Sequence, residues 1–281
     1  MKIEVVDLHM AYPINGNSIG AKVLDGISFS VKNGSFVSVL GPSGCGKSTL
    51  IKIIAGLLLP TQGIVKVDGN GIKGPSSDRT VIFQEYGLFE WKTVIENVEF
   101  GLKAKGMPKN ERLDIAQKYI DMVHLRGSER KYPRELSGGM KQRAAIARAL
   151  AVNPECILMD EPFSALDSQT RLLLQEEILE IWEVTRKTIL LITHNVEEAV
   201  FLSDRIIVLS NIPARVSHDI DVDLPRPRSA NLRFDRRYRD IADCLWQSLR
   251  SESKHDESFK NKYIDKEECL NEKSNNEIIG F

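Results

Sequence analysis

The run Gly41-Pro42-Ser43-Gly44-Cys45-Gly46-Lys47-Ser48-Thr49 packs glycines, a lysine and hydroxyls into one short stretch. It fits G-x-x-x-x-G-K-[ST], a spacing suited to a polyphosphate. Glycines let successive backbone N–H groups converge on phosphate oxygens, Lys47 reaches the β and γ phosphates, and Ser48 can ligate Mg²⁺. Further on, Leu136-Ser137-Gly138-Gly139-Met140 opens a helical run through Ala144 to Leu150, whose positive end can face an anion. Polar groups also follow apolar runs: Asp160-Glu161 after Cys156 to Met159, His194 after Thr188 to Thr193, and Gln84 after Thr80 to Phe83. An acid pair at a strand end can hold a metal and polarise water. Each string alone has a bland explanation, a flexible turn or a solvated acid pair; together they describe a phosphate-handling site.

The elements that must carry these residues are legible from the pattern of apolar residues. Phe36 to Leu40 reads as a buried strand before the glycine loop, and Ser48 to Ala55 as a helix stopped by Gly56. Residues before it read as short strands broken by a polar loop from Pro13 to Gly20. Ile64 to Val67 and Thr80 to Phe83 are further strands. From Thr93 to about Val152 the pattern turns helical: Thr93-Val94-Ile95-Glu96 fits a capping box, and Pro108 suits a first helical position. Cys156 to Met159 and Thr188 to Thr193 read as buried strands, with a helix from Arg171 to Val184 between them. Such alternation implies an α/β domain with a largely parallel sheet whose strand ends hold the ligand. Val216 to Leu224 suggests a short strand pair, broken by Pro225-Arg226-Pro227-Arg228. From about Ser251 the polar, aperiodic tail is expected to be disordered.

Composition narrows the class. With 281 residues and 42% apolar content the chain can bury a proper core, and a formal net charge of −1 argues against a broad nucleic-acid-binding field. The cysteines Cys45, Cys156, Cys244 and Cys269 are too scattered for a disulfide framework or a metal site, which fits a reducing cytosol. No stretch approaches about twenty apolar residues, and the N-terminus lacks a signal-peptide core, so any membrane pore must be another polypeptide.

Leu136 to Met140, followed by Lys141-Gln142-Arg143, resembles the signature of ATP-binding cassette (ABC) proteins, and the resemblance covers about residues 1 to 215. It implies a P-loop NTPase ABC cassette: an α/β fold with a largely parallel core sheet, an N-terminal antiparallel β subdomain and a helical signature subdomain. The implied boundaries are 1–92 for the first part of the ATPase core and 93–152 for the helical subdomain. Residues 153–215 then complete the core, 216–250 form a short extension, and 251–281 form the tail. By the same resemblance the ligands are ATP and Mg²⁺. Gly41 to Thr49 would cradle phosphate, with Ser48, Gln84 and Asp160 at the metal; Glu161, His194, Lys47 and Gln84 would serve catalysis. Whether Glu161 acts as a full general base or mainly orients water stays open at this level. Ser137, Gly138 and Gly139 would meet the γ-phosphate held by a second subunit.

Three segments carry two readings each. Tyr12, restrained toward extended backbone by Pro13, resembles the aromatic that stacks on adenine, with an ordinary surface tyrosine as the competitor. Asp167, closing Ser164-Ala165-Leu166-Asp167, matches the loop that crosses the dimer interface and is also a plausible helix N-cap. Tyr86, Leu88, Phe89 and Trp91 either pack into the helical subdomain or form a groove for a cytoplasmic helix of a membrane partner. Asn195 departs from the acid common after the switch histidine in related importers. The resemblance extends to ATPases of the nitrate, sulfonate, taurine and bicarbonate importer group. It implies a peripheral subunit on the cytoplasmic face of the cell membrane, paired with a second ATPase subunit as a homodimer. Its other partners would be two permease subunits and, indirectly, a solute-binding protein, with no nucleic acid. The alternative is a soluble ABC ATPase of DNA repair, chromosome organisation or translation, which would ordinarily bring heptad insertions, zinc cysteines or tandem cassettes.

Overall fold

The computed structural model describes residues 2–14 and 17–253. It begins with two long strands, β1 (Ile3–Ile14) and β2 (Asn17–Val31), followed by β3 (Phe36–Leu40) and α1 (Lys47–Ile54). Next come β4 (Gln62–Val67), a short β5 (Asn70–Gly71) and β6 (Arg79–Ile82). The helical stretch is α2 (Val94–Ala104), α3 (Lys109–Met122) and α4 (Gly138–Ala151). The chain returns through β7 (Cys156–Asp160), α5 (Ser168–Thr185), β8 (Thr188–Thr193), α6 (Val196–Leu202) and β9 (Arg205–Leu209). It ends in β10 (Val216–Asp221) and α7 (Arg236–Ser253).

Two sheets result. A four-stranded antiparallel sheet has the order β2-β1-β4-β5, and a six-stranded sheet has the order β10-β9-β3-β8-β7-β6. Within the larger sheet every neighbouring pair is parallel except β10 with β9. Side chains alternate across a strand, and here both faces are covered. Val37, Val39, Leu158, Leu190 and Ile192 face a core shared with α1 and the antiparallel sheet. Phe36, Leu40, Met159, Ile189 and Leu191 face a second core shared with the helical segment, α5 and α6. This is why β3, β7 and β8 are apolar at most positions on both faces.

The antiparallel sheet differs from expectation between Pro13 and Gly20. Strand β1 runs on to Ile14 and β2 resumes at Asn17, with Tyr12 opposite Ala21. The neighbouring Gly20 makes the close approach possible, since a Cβ there would lie 1.7 Å from the Tyr12 carbonyl oxygen. The capping box at Thr93 and Glu96 is formed, and Pro108 is the N-cap of α3 rather than its first residue.

The C-terminal region also differs. The strand pair is β9 with β10, residues 222–224 lie outside any strand, and the extension contains α7. Tyr238, Ala242 and Leu245 of α7 are buried in the second core, and Tyr238 Oη donates to the Glu197 carbonyl on α6 at 3.0 Å. The tail expected to be disordered lies, from residue 254 on, outside the described residues.

Candidate active site

Four parallel strands release the candidate residues at the same end. After β3 comes the glycine loop, after β7 Glu161, after β8 His194, and two residues beyond β6 Gln84. The register that sets Asp160 opposite Ile192 brings the ends of β7 and β8 together.

Helix α1 starts directly after Gly46, whose φ of 110° favours glycine and whose missing Cβ would sit 2.8 Å from Val23 Cγ1. Lys47 is buried, and its ammonium donates to the carbonyls of Gly41 at 2.9 Å and Pro42 at 2.7 Å. It also lies 3.9 Å from Oε1 of Glu161. The other carboxylate oxygen of Glu161, Oε2, is 3.0 Å from Nδ1 of His194, a hydrogen bond when that nitrogen carries the proton. Glu161 therefore sits between a cation and an imidazole. Its backbone has φ 45°, left-handed for a non-glycine residue, a strain on the order of 1–3 kcal/mol of the kind that collects at functional sites.

Ser48 Oγ donates to Asp160 Oδ1 at 3.2 Å. Burial pushes the Asp160 carboxyl above the ordinary range, while the Ser48 hydrogen bond opposes that shift. A serine hydroxyl touching a buried carboxylate is a hard-oxygen donor set that suits Mg²⁺. Among the described residues no group of three or more His, Cys, Asp or Glu could hold a metal ion unaided. A Mg²⁺ ion here would therefore take its remaining ligands from phosphate and water, as this small cation usually does.

Tyr12, on β1, is partly exposed, and its hydroxyl lies 3.3 Å from Thr49 Oγ1 at the start of α1. Its ring thus borders the glycine loop. Gln84 is exposed and, among the described residues, its side chain makes no hydrogen bond to the other candidates. Ser137 is the N-cap of α4, its hydroxyl accepting from Met140 N. Packing disfavours a side chain at Gly139, where a Cβ would meet Thr170 Cγ2 at 2.6 Å, while at Gly138 the fit is only tight, with Tyr86 Oη at 3.1 Å. Asp167 caps α5, accepting from the backbone N–H groups of Gln169 and Thr170. Cys45 and Cys156 are both buried, with the Cys156 thiol pushed up to about 12 by desolvation, which leaves these two inert, while Cys244 is exposed.

The aromatic segment after Gln84 divides. Tyr86 and Leu88 pack against the second core, whereas the Phe89 ring lies 5.5 Å from Trp91 and 4.5 Å from Phe100. Trp91 itself is 74% exposed.

Several organising residues escaped sequence reasoning. Asn97 of α2 is fully buried and makes four hydrogen bonds to the loop before it: it accepts from Phe89 N and donates to the carbonyls of Phe89, Lys92 and Thr93. Arg148 of α4 donates to the carbonyls of Tyr86 and Gly87, tying the helix of the Ser137 turn to the Gln84 segment. Asn195 is the N-cap of α6, accepting from Glu198 N at 3.0 Å, a task asparagine performs as well as aspartate. Arg228 is buried and donates to the carbonyls of Val200, Phe201 and Ser203, closing the C-terminus of α6. Arg226 binds Asp204 and the Leu202 carbonyl while its guanidinium lies 4.1 Å from the Trp182 ring. The Pro-Arg-Pro-Arg run is thus a clamp on α6, the helix that follows His194. No sequence signal marks it beyond the pair of arginines themselves.

A family model described as ABC transporter matches residues 24–164. An uncharacterized ABC transporter ATP-binding protein of Methanocaldococcus jannaschii is 54% identical over 228 residues, spanning 81% of this chain and 85% of that protein. A nitrate import ATP-binding protein of Synechocystis sp. is 48% identical over 225 residues, 80% of this chain and 84% of its own length. The fold matches a solved dimeric, post-hydrolysis ATP-binding cassette bound to ADP and Pi. The TM-score is 0.69 at 32% identity, covering 79% of this chain and 100% of that one. On that family match and that degree of identity, the chain belongs to the ABC transporters, as one of their ATP-hydrolysing cassettes.

Proposed function

We propose that this cassette works as a pair on the cytoplasmic face of the membrane, where it powers an importer of a small anion of the nitrate, sulfonate, taurine or bicarbonate kind. The observation that carries the catalytic part is the placement of Glu161, with Lys47 3.9 Å from one carboxylate oxygen and His194 3.0 Å from the other. In the nucleotide-bound site, Lys47 exchanges the Gly41 and Pro42 carbonyls for phosphate oxygens. Glu161 takes up or orients the proton of the attacking water, and His194 holds the γ-phosphate side of Glu161. Ser48, Asp160 and Gln84 would hold Mg²⁺, which when bound neutralises charge building on the phosphates.

Ser137 and Gly139 of a second copy would close the site, using the N-terminus of α4 as the anion receptor. Each chain then supplies half of two sites, and ATP joins them; hydrolysis removes the γ-phosphate contacts and lets the pair open. The segment 93–152 would move as the helical subdomain. Exposed Trp91 beside Phe89, whose ring also meets Phe100, suits the docking of a permease helix, since large aromatic anchors dominate such interfaces. Support for the pore lying in separate subunits is that, among the described residues, no helix is long and apolar enough to cross a membrane. Support for the cargo class is the 48% identity to the nitrate import protein.

The test is co-purification with the neighbouring permease, followed by ATPase assay with and without the solute receptor loaded with nitrate, a sulfonate, taurine or bicarbonate. Stimulation by one of these anions is expected. Recovery with ribosomes or DNA and no permease would refute the reading.

A further inference from the structure

Glu198 is a buried carboxylate that the catalytic reading does not use. It stands in the first turn of α6, four residues after His194, with 5% of its surface exposed. Its Oε2 accepts from Thr193 Oγ1 at 2.7 Å, and Thr193 Oγ1 in turn accepts from Asn195 N at 3.0 Å. Asn195 Oδ1 accepts from Glu198 N at 3.0 Å. The two residues flanking His194 are therefore both fastened to Glu198.

The other oxygen, Oε1, faces Arg171 Nε at 3.9 Å, outside hydrogen-bond range, and that Nε is buried with no partner. The same guanidinium donates through Nη2 to the Leu166 carbonyl at 2.9 Å. Leu166 belongs to the Ser164 to Asp167 loop, which links Glu161 to α5. Arg171 thus has one end on that loop and the other just short of the carboxylate that anchors the His194 turn. A cavity of about 70 Å³ is lined by both pairs, Glu161 with His194 and Arg171 with Glu198. It leaves room for the guanidinium to move.

An unpaired buried guanidinium nitrogen next to a buried carboxylate is an incomplete ion pair, costly as it stands and stabilised by a small closing movement. We infer that Arg171 and Glu198 are positioning residues: when a partner subunit shifts the Ser164 to Asp167 loop, Arg171 closes onto Glu198 and sets the Thr193-His194-Asn195 turn against Glu161. The inference rests on the proposed roles of Glu161 and His194. Both residues act through His194.

The experiment measures kcat, ATP affinity and thermal melting for Glu198→Gln, Arg171→Gln, the double variant and His194→Ala in the full chain with its permease. Glu198→Gln keeps an acceptor for Thr193 and removes the charge. Each single variant is expected to lower kcat roughly 5- to 20-fold with ATP affinity within about twofold, and the double variant to be no slower than the slower single one. Should Glu198→Gln not fold, the partly exposed Arg171→Gln gives the same reading alone. Parental kcat in Arg171→Gln, or losses that multiply in the double variant, would overturn the pair while an impaired His194→Ala leaves the site reading standing. Parental turnover in His194→Ala would instead remove the site reading, and the pair with it.

Discussion

Ser48 Oγ and Asp160 Oδ1 lie 3.2 Å apart although 112 residues separate them in sequence. The contact joins the first residue after the phosphate-loop lysine to the last residue of β7, so two of the three residues proposed to hold Mg²⁺ already touch. That placement has a cost, because it keeps a carboxylate buried beside a neutral hydroxyl.

That cost predicts a pH-dependent gain. Burial raises the Asp160 pKa above its unfolded value of about 3.9, so the ionised group destabilises the nucleotide-free chain above the folded pKa, and the penalty vanishes as pH falls below the unfolded value. Asp160→Asn should therefore melt at or above the parent near neutral pH without nucleotide, with the gap narrowing toward acid. Its Mg²⁺-dependent turnover should fall by roughly 10- to 100-fold. A lower melting temperature throughout would contradict the burial argument.

Lys47→Ala removes a buried ammonium that bridges the Gly41 and Pro42 carbonyls. Loss of one charge-assisted phosphate contact, about 1.5–3 kcal/mol, should weaken ATP binding by roughly 10- to 100-fold in a calorimetric titration. Unchanged affinity would reject the phosphate-loop assignment.

Arg228→Gln leaves the Val200, Phe201 and Ser203 carbonyls without their shared donor. Urea unfolding should show a destabilisation of about 1.5–3 kcal/mol, the range for hydrogen bonds to a charged group. A change below about 0.5 kcal/mol would place Arg228 among ordinary surface substitutions.

Trp91→Ala should leave the ATPase of the isolated chain within about twofold of the parent, because the exposed indole packs on Phe89 rather than on the site. Pull-down of the permease should drop sharply. Undiminished capture would move the docking surface elsewhere.

Strands β3 and β8 were legible to the residue because both their faces are covered, which makes them predominantly apolar along their length. The candidate residues were legible for a related reason, since a polar group just after such a run must emerge at a strand end. Their pairing was not legible. That His194 meets Glu161 depends on the register of β7 with β8, and that Gly20 can pass the Tyr12 carbonyl depends on the register of β1 with β2. Asn97 and Arg228 look unremarkable in sequence because their partners are backbone groups, which any residue supplies. Helix α7 did leave a trace: Tyr238, Ala242 and Leu245 recur at helical spacing, but the charged neighbours Arg236, Arg237, Arg239 and Asp240 obscured it.

If each chain supplies half of two ATP sites, Glu161→Gln should trap the pair with ATP between its halves. Replacing the carboxylate held between Lys47 and His194 should raise the barrier by about 3–4 kcal/mol and so keep ATP intact between two copies. Analytical ultracentrifugation of Glu161→Gln in ATP and Mg²⁺, repeated with the permease present, should show a stable nucleotide-dependent dimer that dissociates when ATP is exchanged for ADP. A variant that stays monomeric under both conditions would contradict the shared site.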